Sequence, residues 1–221
     1  MAEPRPAVSF LIPAAGSGER LGLGSKGLLE LGGRPLLCWL VDKAREVADE
    51  VLVAVSAAHV DEVAAILPGC RVIGGGASRQ DSVRLLAAQA KGEFLLVHDA
   101  ARPFVSIGLL RQVRDAALQH GCAGAMLDPE VPVAQLRDGW VASARPRHEV
   151  GLFQSPQAFG RGQLQQMQQA ADAQGWRTQS TLQLALLCGF AVRAVPGEKT
   201  NIKITTPDDW RMAQHFEDLL Q

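Results

Sequence analysis

A glycine-rich loop at residues 13–26 combines small residues with two cations, Arg20 and Lys26. Small residues let backbone N–H groups approach an anion closely, and glycine adopts positive φ without strain. Cations in the same loop offset the charge of a triphosphate, on which phosphoryl chemistry depends. The glycine spacing matches neither the dinucleotide fingerprint G-x-G-x-x-G nor the P-loop pattern G-x-x-x-x-G-K-[ST]. The alternative is a flexible turn with solvated charges.

A second glycine-rich loop, residues 74–83, follows an apolar run and opens a helical pattern. It contains Gly76, Arg79 and Ser82. Helix N-termini attract anions, so this loop is a second candidate for binding phosphate or the polar edge of a base. An ordinary capping role for Ser82 is equally consistent with the local pattern.

The third loop carries the candidate acid, Asp99, just past a buried strand. Ala100 and Arg102 follow it. An aspartate at a strand end can hold Mg²⁺ or a substrate hydroxyl, and loop capping is the alternative. His98 beside it is interpreted as a hydrogen-bonded structural residue and receives no chemical role.

The elements that must position these loops are alternating strands and helices. Helical spacing is followed at 36–47, 60–67, 81–90, 107–119, 161–174, 179–188 and after Pro207, and short apolar runs predict strands at 8–12, 51–55, 71–73, 94–97, 123–127 and 191–195. This alternation predicts an α/β fold with a mainly parallel sheet and helices on both faces. We expect a single domain over 1–221. Ligands bind such sheets at the carboxyl ends of the strands, where the three loops lie.

Residues 131–145 break the alternation. Two strand-like runs flank Asp138-Gly139, which is a strong hairpin signal. The side chains of this hairpin carry more apolar surface than a free hairpin should expose. An exposed apolar patch of this kind is typical of a surface that binds a partner. We expect a β-arm inserted at about 130–148.

Composition excludes several functional classes. The 221 residues contain 22 Lys plus Arg against 23 Asp plus Glu, so a nucleic-acid binder that works through bulk charge is not expected. No stretch approaches the roughly 18 apolar residues of a membrane span, and the N-terminal apolar run is too short for a signal peptide. Four cysteines without a CxxC pair indicate neither a zinc ribbon nor a disulfide framework. The simplest compartment is the cytoplasm.

Together the three loops closely resemble those of the 2-C-methyl-D-erythritol 4-phosphate cytidylyltransferases, and the resemblance extends along nearly the whole chain. The residues that carry it are Pro13-Ala14-Ala15-Gly16-x-Gly18-x-Arg20, Gly75-Gly76-x-x-Arg79-x-x-Ser82-Val83, Val97-His98-Asp99-Ala100-Ala101-Arg102-Pro103, Arg147, Ser155-Pro156-Gln157 and Asn201-Ile202-Lys203-Ile204-Thr205-x-Pro207-x-Asp209. The resemblance implies a Rossmann-like fold of nucleotidyltransferase type with a protruding β-arm.

The family transfers CMP from CTP to methylerythritol phosphate and releases pyrophosphate. By this resemblance the catalytic residues are Arg20, Lys26, Arg147 and Lys203. The residues expected to bind the acceptor are Asp99, Ala100, Arg102 and Ser155, and those expected to bind the nucleotide are Pro13, Ala14, Ala15, Gly16, Gly18, Gly76, Arg79 and Ser82. Mg²⁺ would accompany CTP, with Asp99 as the candidate protein ligand. A homodimer joined by the arm would bring Arg147 to the neighbour's site.

The sequence departs from the family pattern at four places, and the departure in the arm removes a hydroxyl expected to touch the acceptor phosphate. Ser25 and Ser155 replace a proline and a threonine, and the arm lacks the family's Asp-Thr, reading Pro132 to Arg137 instead. Gln179-Ser180-Thr181-Leu182 replaces a Thr-Asp-Glu-Ala-like stretch. The alternative functions are a cytidylyltransferase for another polyol phosphate, such as ribitol phosphate, and an inactive nucleotide-binding regulator. A sugar-1-phosphate nucleotidyltransferase fits less well.

Overall fold

The computed structural model describes residues 6–16 and 26–220, and a seven-stranded sheet forms their centre. The strand order is β11-β7-β10-β6-β1-β4-β5. These strands are β1 (Val8–Pro13), β4 (Glu50–Val55), β5 (Arg71–Gly74), β6 (Phe94–Val97), β7 (Cys122–Leu127), β10 (Leu152–Gly160) and β11 (Arg193–Pro196). Two short pairs lie outside it: β2 (Glu30–Leu31) with β3 (Arg34–Pro35), and β8 (Val133–Arg137) with β9 (Trp140–Arg145).

Six of the seven strands run parallel, which confirms the mainly parallel sheet predicted from the alternation. The exception is β10, which pairs antiparallel with both β6 and β7. The sequence predicts no strand there, because a proline in mid-run cannot donate to a ladder. The register of β10 against β7 shifts between Phe153 and Gln157, so Pro156 lies at an irregularity of the ladder.

Helices cover both faces of the sheet, as predicted. They are α1 (Leu36–Arg45), α2 (Val60–Ile66), α3 (Arg79–Gln89), α4 (Ile107–His120), α5 (Arg161–Gln174), α6 (Thr181–Leu187) and α7 (Pro207–Ala213). One apolar cluster packs α1, α2 and α4 on one face. A second cluster packs α3, α5 and α6 on the other. Successive side chains of a strand point to opposite faces, which explains why the central strands are apolar throughout.

The C-terminal helix is shorter than the sequence predicts. The apolar pattern after Pro207 extends to Leu220, but α7 ends at Ala213 and a separate 3₁₀ turn covers Glu217–Leu220. A third apolar cluster joins these segments to the loop after β6, with Leu220, Ala213 and Phe104 among its members. Packing against this loop decides the path of the chain there, because helical periodicity alone does not specify where a helix must stop.

The hairpin of β8 and β9 protrudes, as predicted, and turns at Asp138-Gly139, where both residues have positive φ. Its apolar side chains are strongly exposed: Trp140 at 80%, Val141 at 71% and Leu136 at 65%. Such exposure is unusual for a hairpin that stands alone, since two isolated strands are marginally stable in water.

Candidate active site

A first cavity of about 270 Å³ lies at the carboxyl ends of β1 and β6, beside the N-terminus of α3. Its walls come from all three candidate loops. Among its lining residues are most of the predicted nucleotide-binding residues and several others: Pro13, Ala14, Ala15, Gly16, Gly76, Arg79, Ser82, Asp99, Ala100 and Lys203. Parallel strands bring the loops together because their carboxyl ends share one edge of the sheet.

A second cavity of about 170 Å³ adjoins the first, and Arg79, Asp99 and Lys203 line both. The second cavity adds Arg102 and Ser155, both predicted to bind the acceptor. Its charged lining groups are three cations and one carboxylate, so its net charge favours an anion. A small phosphate fits this chemistry, since cations stabilise phosphoryl groups by charge and hydrogen bonding.

Asp99 lies where the two cavities meet. Arg79 Nε donates to its Oδ1 at 2.7 Å, and Lys203 Nζ donates to its Oδ2 at 2.8 Å. Burial alone raises the pKa of the Asp99 carboxyl, but the two cations outweigh it and hold that pKa well below its usual range. Asp99 is therefore an ionised carboxylate that fixes two cations in place.

Strand β10 and the segment before α7 form hydrogen bonds with the loop that follows β6 and carries Asp99 and Arg102. Ser155 is buried, and its Oγ accepts from the Asp99 N–H at 3.1 Å. Asn201 Nδ2 in turn donates to the Ser155 carbonyl at 2.8 Å. The Arg102 guanidinium donates through Nη1 to the Asn201 carbonyl at 2.5 Å. Burial lowers the pKa of Arg102 while Asp99 acts in the opposite direction, and an arginine stays charged under either influence.

The glycine-rich loop before α3 packs directly against the first loop. A Cβ on Gly75 would come within 2.3 Å of the Ala15 Cβ, and one on Gly76 within 2.4 Å of the Asp81 Cβ. Ser82 is not the helix cap, because Ser78 caps α3 by accepting from the Asp81 N–H. Ser82 Oγ instead accepts from the Gly76 N–H at 3.1 Å, which fixes the loop that lines the first cavity.

Gly75→Ala is expected to weaken nucleotide binding. Overpacking typically costs about 1–3 kcal/mol, and here it must displace the Ala15 loop or the Gly75 loop. We expect a rise in the Kd for CTP of about tenfold or more, measured by titration calorimetry. Gly74→Ala is the matched control, since its Cβ would reach only the Ala57 Cβ at 4.0 Å. Equal affinities for the two variants would contradict the packing argument.

His98 is fully buried, and its Nε2 contacts the Arg102 carbonyl at 2.9 Å, so this nitrogen carries the proton. Its Nδ1 has no hydrogen-bond partner among the described residues. Burial lowers the pKa of His98 to about 4, because the charged imidazolium is poorly solvated there. These features agree with the structural role expected for this residue.

The neutral His98 makes stability depend on pH. The unfolded chain binds the proton at its ordinary pKa of about 6.5 and the native state only near 4, so stability is complete above about pH 6.5 and falls toward pH 4. We expect a loss of roughly 3 kcal/mol over that range, measured by urea unfolding. His98→Gln should flatten this dependence, whereas His59→Gln, which replaces a partly exposed histidine, should leave it unchanged. A dependence that persists in His98→Gln contradicts the assignment.

The carboxylate of Asp99, predicted as a metal ligand, is engaged by two protein cations. Each of its oxygens accepts a hydrogen bond from a cation, and a metal ion there would share the carboxylate with Arg79 and Lys203. Within residues 6–16 and 26–220, no three His, Cys, Asp or Glu side chains form a group that would hold a metal.

Of four further predicted residues, the structure describes the side chain of Arg147 alone. Gly18 and Arg20 lie outside the described residues, as does the side chain of Lys26, whose backbone opens a 3₁₀ turn. Arg147 lies at the base of the arm, where it is exposed and donates to the Glu130 carbonyl at 2.7 Å. It lines neither of the two cavities within a single chain.

The structure adds two residues that sequence reasoning did not assign to the site. Thr181 Oγ1 accepts from Arg79 Nη1 at 3.1 Å and so helps to aim the guanidinium at Asp99. Gln154 is buried, lines the second cavity and donates to the Glu198 carbonyl at 3.0 Å. Gln154 directly precedes Ser155, and Thr181 lies in the stretch 179–182, but neither side chain belongs to a motif that assigns it a role.

Comparison with known proteins agrees with this geometry. The family model for 2-C-methyl-D-erythritol 4-phosphate cytidylyltransferase matches residues 8–217. A Thermus thermophilus protein of that name is 40% identical over 209 residues, which cover 94% of this chain and 95% of the relative. The Deinococcus radiodurans protein of the same name is 37% identical over 209 residues, covering 95% of this chain and 89% of the relative.

Solved structures agree as well. The Thermus thermophilus cytidylyltransferase superposes with a TM-score of 0.82 at 35% identity, over 96% of this chain and 99% of that one. The 4-diphosphocytidyl-2C-methyl-D-erythritol synthase of Anaerococcus prevotii gives a TM-score of 0.88 at 26% identity, over 96% of each chain. The family match, the relatives and the shared fold agree, and this chain belongs to the 2-C-methyl-D-erythritol 4-phosphate cytidylyltransferase family.

Proposed function

We propose that this protein transfers CMP from CTP to 2-C-methyl-D-erythritol 4-phosphate, giving 4-diphosphocytidyl-2-C-methyl-D-erythritol and pyrophosphate. Family membership supports the reaction. The observation that carries it here is the pair of adjoining cavities that share Arg79, Asp99 and Lys203. One cavity is lined by backbone-rich loops suited to a nucleotide, and the other by cations suited to a phosphate.

The proposed chemistry is an in-line displacement at the α-phosphorus of CTP. An oxygen of the acceptor phosphate forms a new bond to that phosphorus as the bond to the leaving pyrophosphate breaks. This reaction needs no covalent intermediate on the enzyme, so positioning and charge stabilisation supply the catalysis. Lys203 touches both cavities, and we assign it to the acceptor phosphate and to the charge that develops between the substrates.

The remaining roles rest on the family resemblance and on the cavity linings. We assign Arg20 and Lys26 to the triphosphate, and Arg102 and Ser155 to the acceptor. The nucleotide is assigned to the first cavity, where Ala14, Ala15, Gly76 and Ser82 would hold the cytosine. Asp99 orients Arg79 and Lys203 in this scheme, since it contacts both cations directly.

We propose that Mg²⁺ reaches the site with CTP. Mg²⁺ usually keeps several waters and binds phosphates with one or two protein carboxylates. The cation neutralises charge on the triphosphate when it is bound. The engagement of both Asp99 oxygens by cations supports phosphate and water as its principal ligands.

A pyrophosphate-release assay tests the function. The purified chain is supplied with CTP and Mg²⁺ and with one of several acceptors: methylerythritol 4-phosphate, ribitol 5-phosphate or none. We expect the highest kcat/KM with methylerythritol 4-phosphate and no release after chelation by EDTA. A preference for ribitol 5-phosphate would overturn the assigned acceptor. No release with any acceptor, from a folded protein that binds CTP, would favour the nucleotide-binding regulator.

We propose further that two copies form a dimer through the arm, defined as residues 130–148. The exposed apolar side chains of the arm support a partner surface, and a two-fold axis would exchange equal contacts. Arg147, at the base of the arm and outside the cavities of its own chain, is then placed to serve the neighbour's acceptor cavity.

Trp140→Asp is expected to impair association and activity together. Placing a charge where an apolar ring is covered by a partner leaves it desolvated, which costs several kcal/mol in typical interfaces. Equilibrium sedimentation at micromolar concentration should show a dimer for the wild type and mostly monomer for the variant. Ile66→Asp is the control, because Ile66 is exposed on α2, outside the arm. A fully active wild-type monomer would refute the shared site.

The domain organisation and compartment complete the proposal. We propose one nucleotidyltransferase domain over 1–221, with the arm as its insertion, in the cytoplasm. The four cysteines are unpaired in the structure, which supports a reducing compartment. None of the helices in residues 6–16 and 26–220 has the length and apolar character needed to cross a bilayer.

A further inference from the structure

Lys43 is a buried cation that the proposed reaction does not use. It lies on α1 among Leu40, Val41 and Ala44, on the face that packs into the protein, and only 7% of it is exposed. Its Nζ donates to the Pro103 carbonyl and to the Leu219 carbonyl, each at 3.2 Å. The ammonium therefore joins two segments that are more than 100 residues apart in sequence.

The ammonium is held by carbonyl groups and not by an ion pair. Among the described residues, Lys43 forms no salt bridge, although Glu198 is near enough to favour its charged form. Burial lowers the pKa of Lys43. Burying a charge is costly unless the charged group finds hydrogen-bond partners. The Pro103 and Leu219 carbonyls therefore offset the cost of burying the Lys43 ammonium.

The Pro103 carbonyl belongs to the active-site loop, residues 98–104. Pro103 directly follows Arg102, whose carbonyl contacts His98 Nε2 at 2.9 Å. The Ala101 carbonyl accepts from the Ile204 N–H at 2.8 Å, one residue beyond Lys203. A shift at Pro103 therefore reaches Arg102 and Lys203, two of the three cations of the second cavity, through short covalent and hydrogen-bonded connections.

The Leu219 carbonyl belongs to the C-terminal segment, residues 217–220. Leu220 is buried in the cluster that also contains Phe104 and Ile204, so this segment packs against the far side of the same loop. A cavity of about 700 Å³ opens beside Lys43 and is lined by Phe104, Ser106, Glu198 and Leu219. Phe104 is buried in that cluster, and the Lys43 hydrogen bond adds a polar link at the Pro103 carbonyl on the side that borders the cavity.

We propose that Lys43 is a positioning residue through which the C-terminal segment holds the active-site loop in the geometry that binds the acceptor phosphate. The proposal rests on the proposed function. Lys43 itself touches neither substrate cavity and acts through Pro103 and Arg102. The first cavity depends less on this link, because residues 13–16 and 76–82 are held by β1 and α3.

The kinetic test compares Lys43→Met with Lys91→Met, a control that replaces an exposed lysine before β6. Methionine keeps the unbranched, flexible stem, lacks only the terminal atom, and so removes the charge and all three donors. We expect the KM for methylerythritol 4-phosphate to rise about tenfold or more in Lys43→Met, with the KM for CTP changed less than about twofold. Equal shifts in both KM values, or none, would overturn the positioning role.

A double-mutant cycle tests the link to the C-terminal segment. Deletion of residues 217–221 removes the Leu219 carbonyl and should raise the same KM, but it should add little in the Lys43→Met background. Additive effects would show that the segment acts independently of Lys43 and would overturn the link. Leu220→Ala replaces the deletion if the shortened chain fails to fold, since it loosens the segment and keeps the carbonyl.

Hydrogen exchange gives a readout that does not depend on the reaction. In Lys43→Met, amides of residues 99–104 should exchange faster, while those of residues 76–82 keep the wild-type rate. Unchanged exchange at 99–104 would overturn the proposal even if the wild type lacks the proposed activity. A wild type that is inactive but shows the exchange difference would refute the proposed function alone.

Discussion

Replacing Lys203 with methionine is expected to lower kcat by about 10²–10³-fold, the usual cost of removing one group that stabilises developing charge. Lys203 is one of two cations that border both cavities, and its Nζ is held at 2.8 Å from Asp99 Oδ2. A free ammonium would need to be ordered at each turnover, whereas this one is already placed. Steady-state kinetics at saturating CTP and acceptor would measure the effect.

Lys199→Met is the matched control for this prediction. Lys199 precedes Lys203 by four residues and forms an ion pair with Glu130 at the base of the arm. It lines neither cavity. We expect its kcat to stay within about twofold of the wild type, since exposed ion pairs contribute little. A loss of less than tenfold in Lys203→Met, with unchanged folding, would contradict the catalytic role.

Asp99→Asn is expected to lower both activity and stability. The amide keeps the shape of the side chain but leaves Arg79 and Lys203 without their anion. Removing one partner of a buried ion pair typically lowers the free energy of unfolding by about 3–5 kcal/mol. Because Lys203 is partly exposed and solvent screens its charge, we expect a loss of about 2 kcal/mol. We expect kcat/KM to fall by about 10²-fold, because both cations lose their fixed positions.

The pH dependence distinguishes this cause from simple loss of packing. The pKa of Asp99 is depressed in the native state, so its contribution is present above the unfolded pKa of about 3.9 and is lost as pH falls below it. The stability difference between wild type and Asp99→Asn should therefore be constant from pH 5 to 8 and shrink in acid. Asp42→Asn, at an exposed pair with Arg34, should cost less than about 0.5 kcal/mol. A difference that does not change in acid would contradict the ion-pair account.

The location of the candidate site follows from the amino-acid sequence alone. Strand–helix alternation specifies a parallel sheet, and a parallel sheet collects the loops after its strands at one edge. Residues 13–16, 76–82 and 99–102 therefore had to meet once their strands were recognised. The sequence predicts the hairpin of the arm as well, because Asp138-Gly139 adopts the positive φ values that a tight hairpin requires.

What these residues do to one another depends on the folded chain. Strand β10, which the sequence does not predict because of Pro156, brings Ser155 into hydrogen-bond contact with the Asp99 N–H. Lys203, which contacts the Asp99 carboxylate, lies more than 100 residues later in the chain. That arrangement makes Asp99 an anchor for two cations, whereas the sequence allowed a metal ligand. The same is true of Lys43, whose partners at Pro103 and Leu219 are distant along the chain. Local spacing specifies elements and their turns, but contacts between distant segments follow from how the elements pack, and no short pattern encodes them.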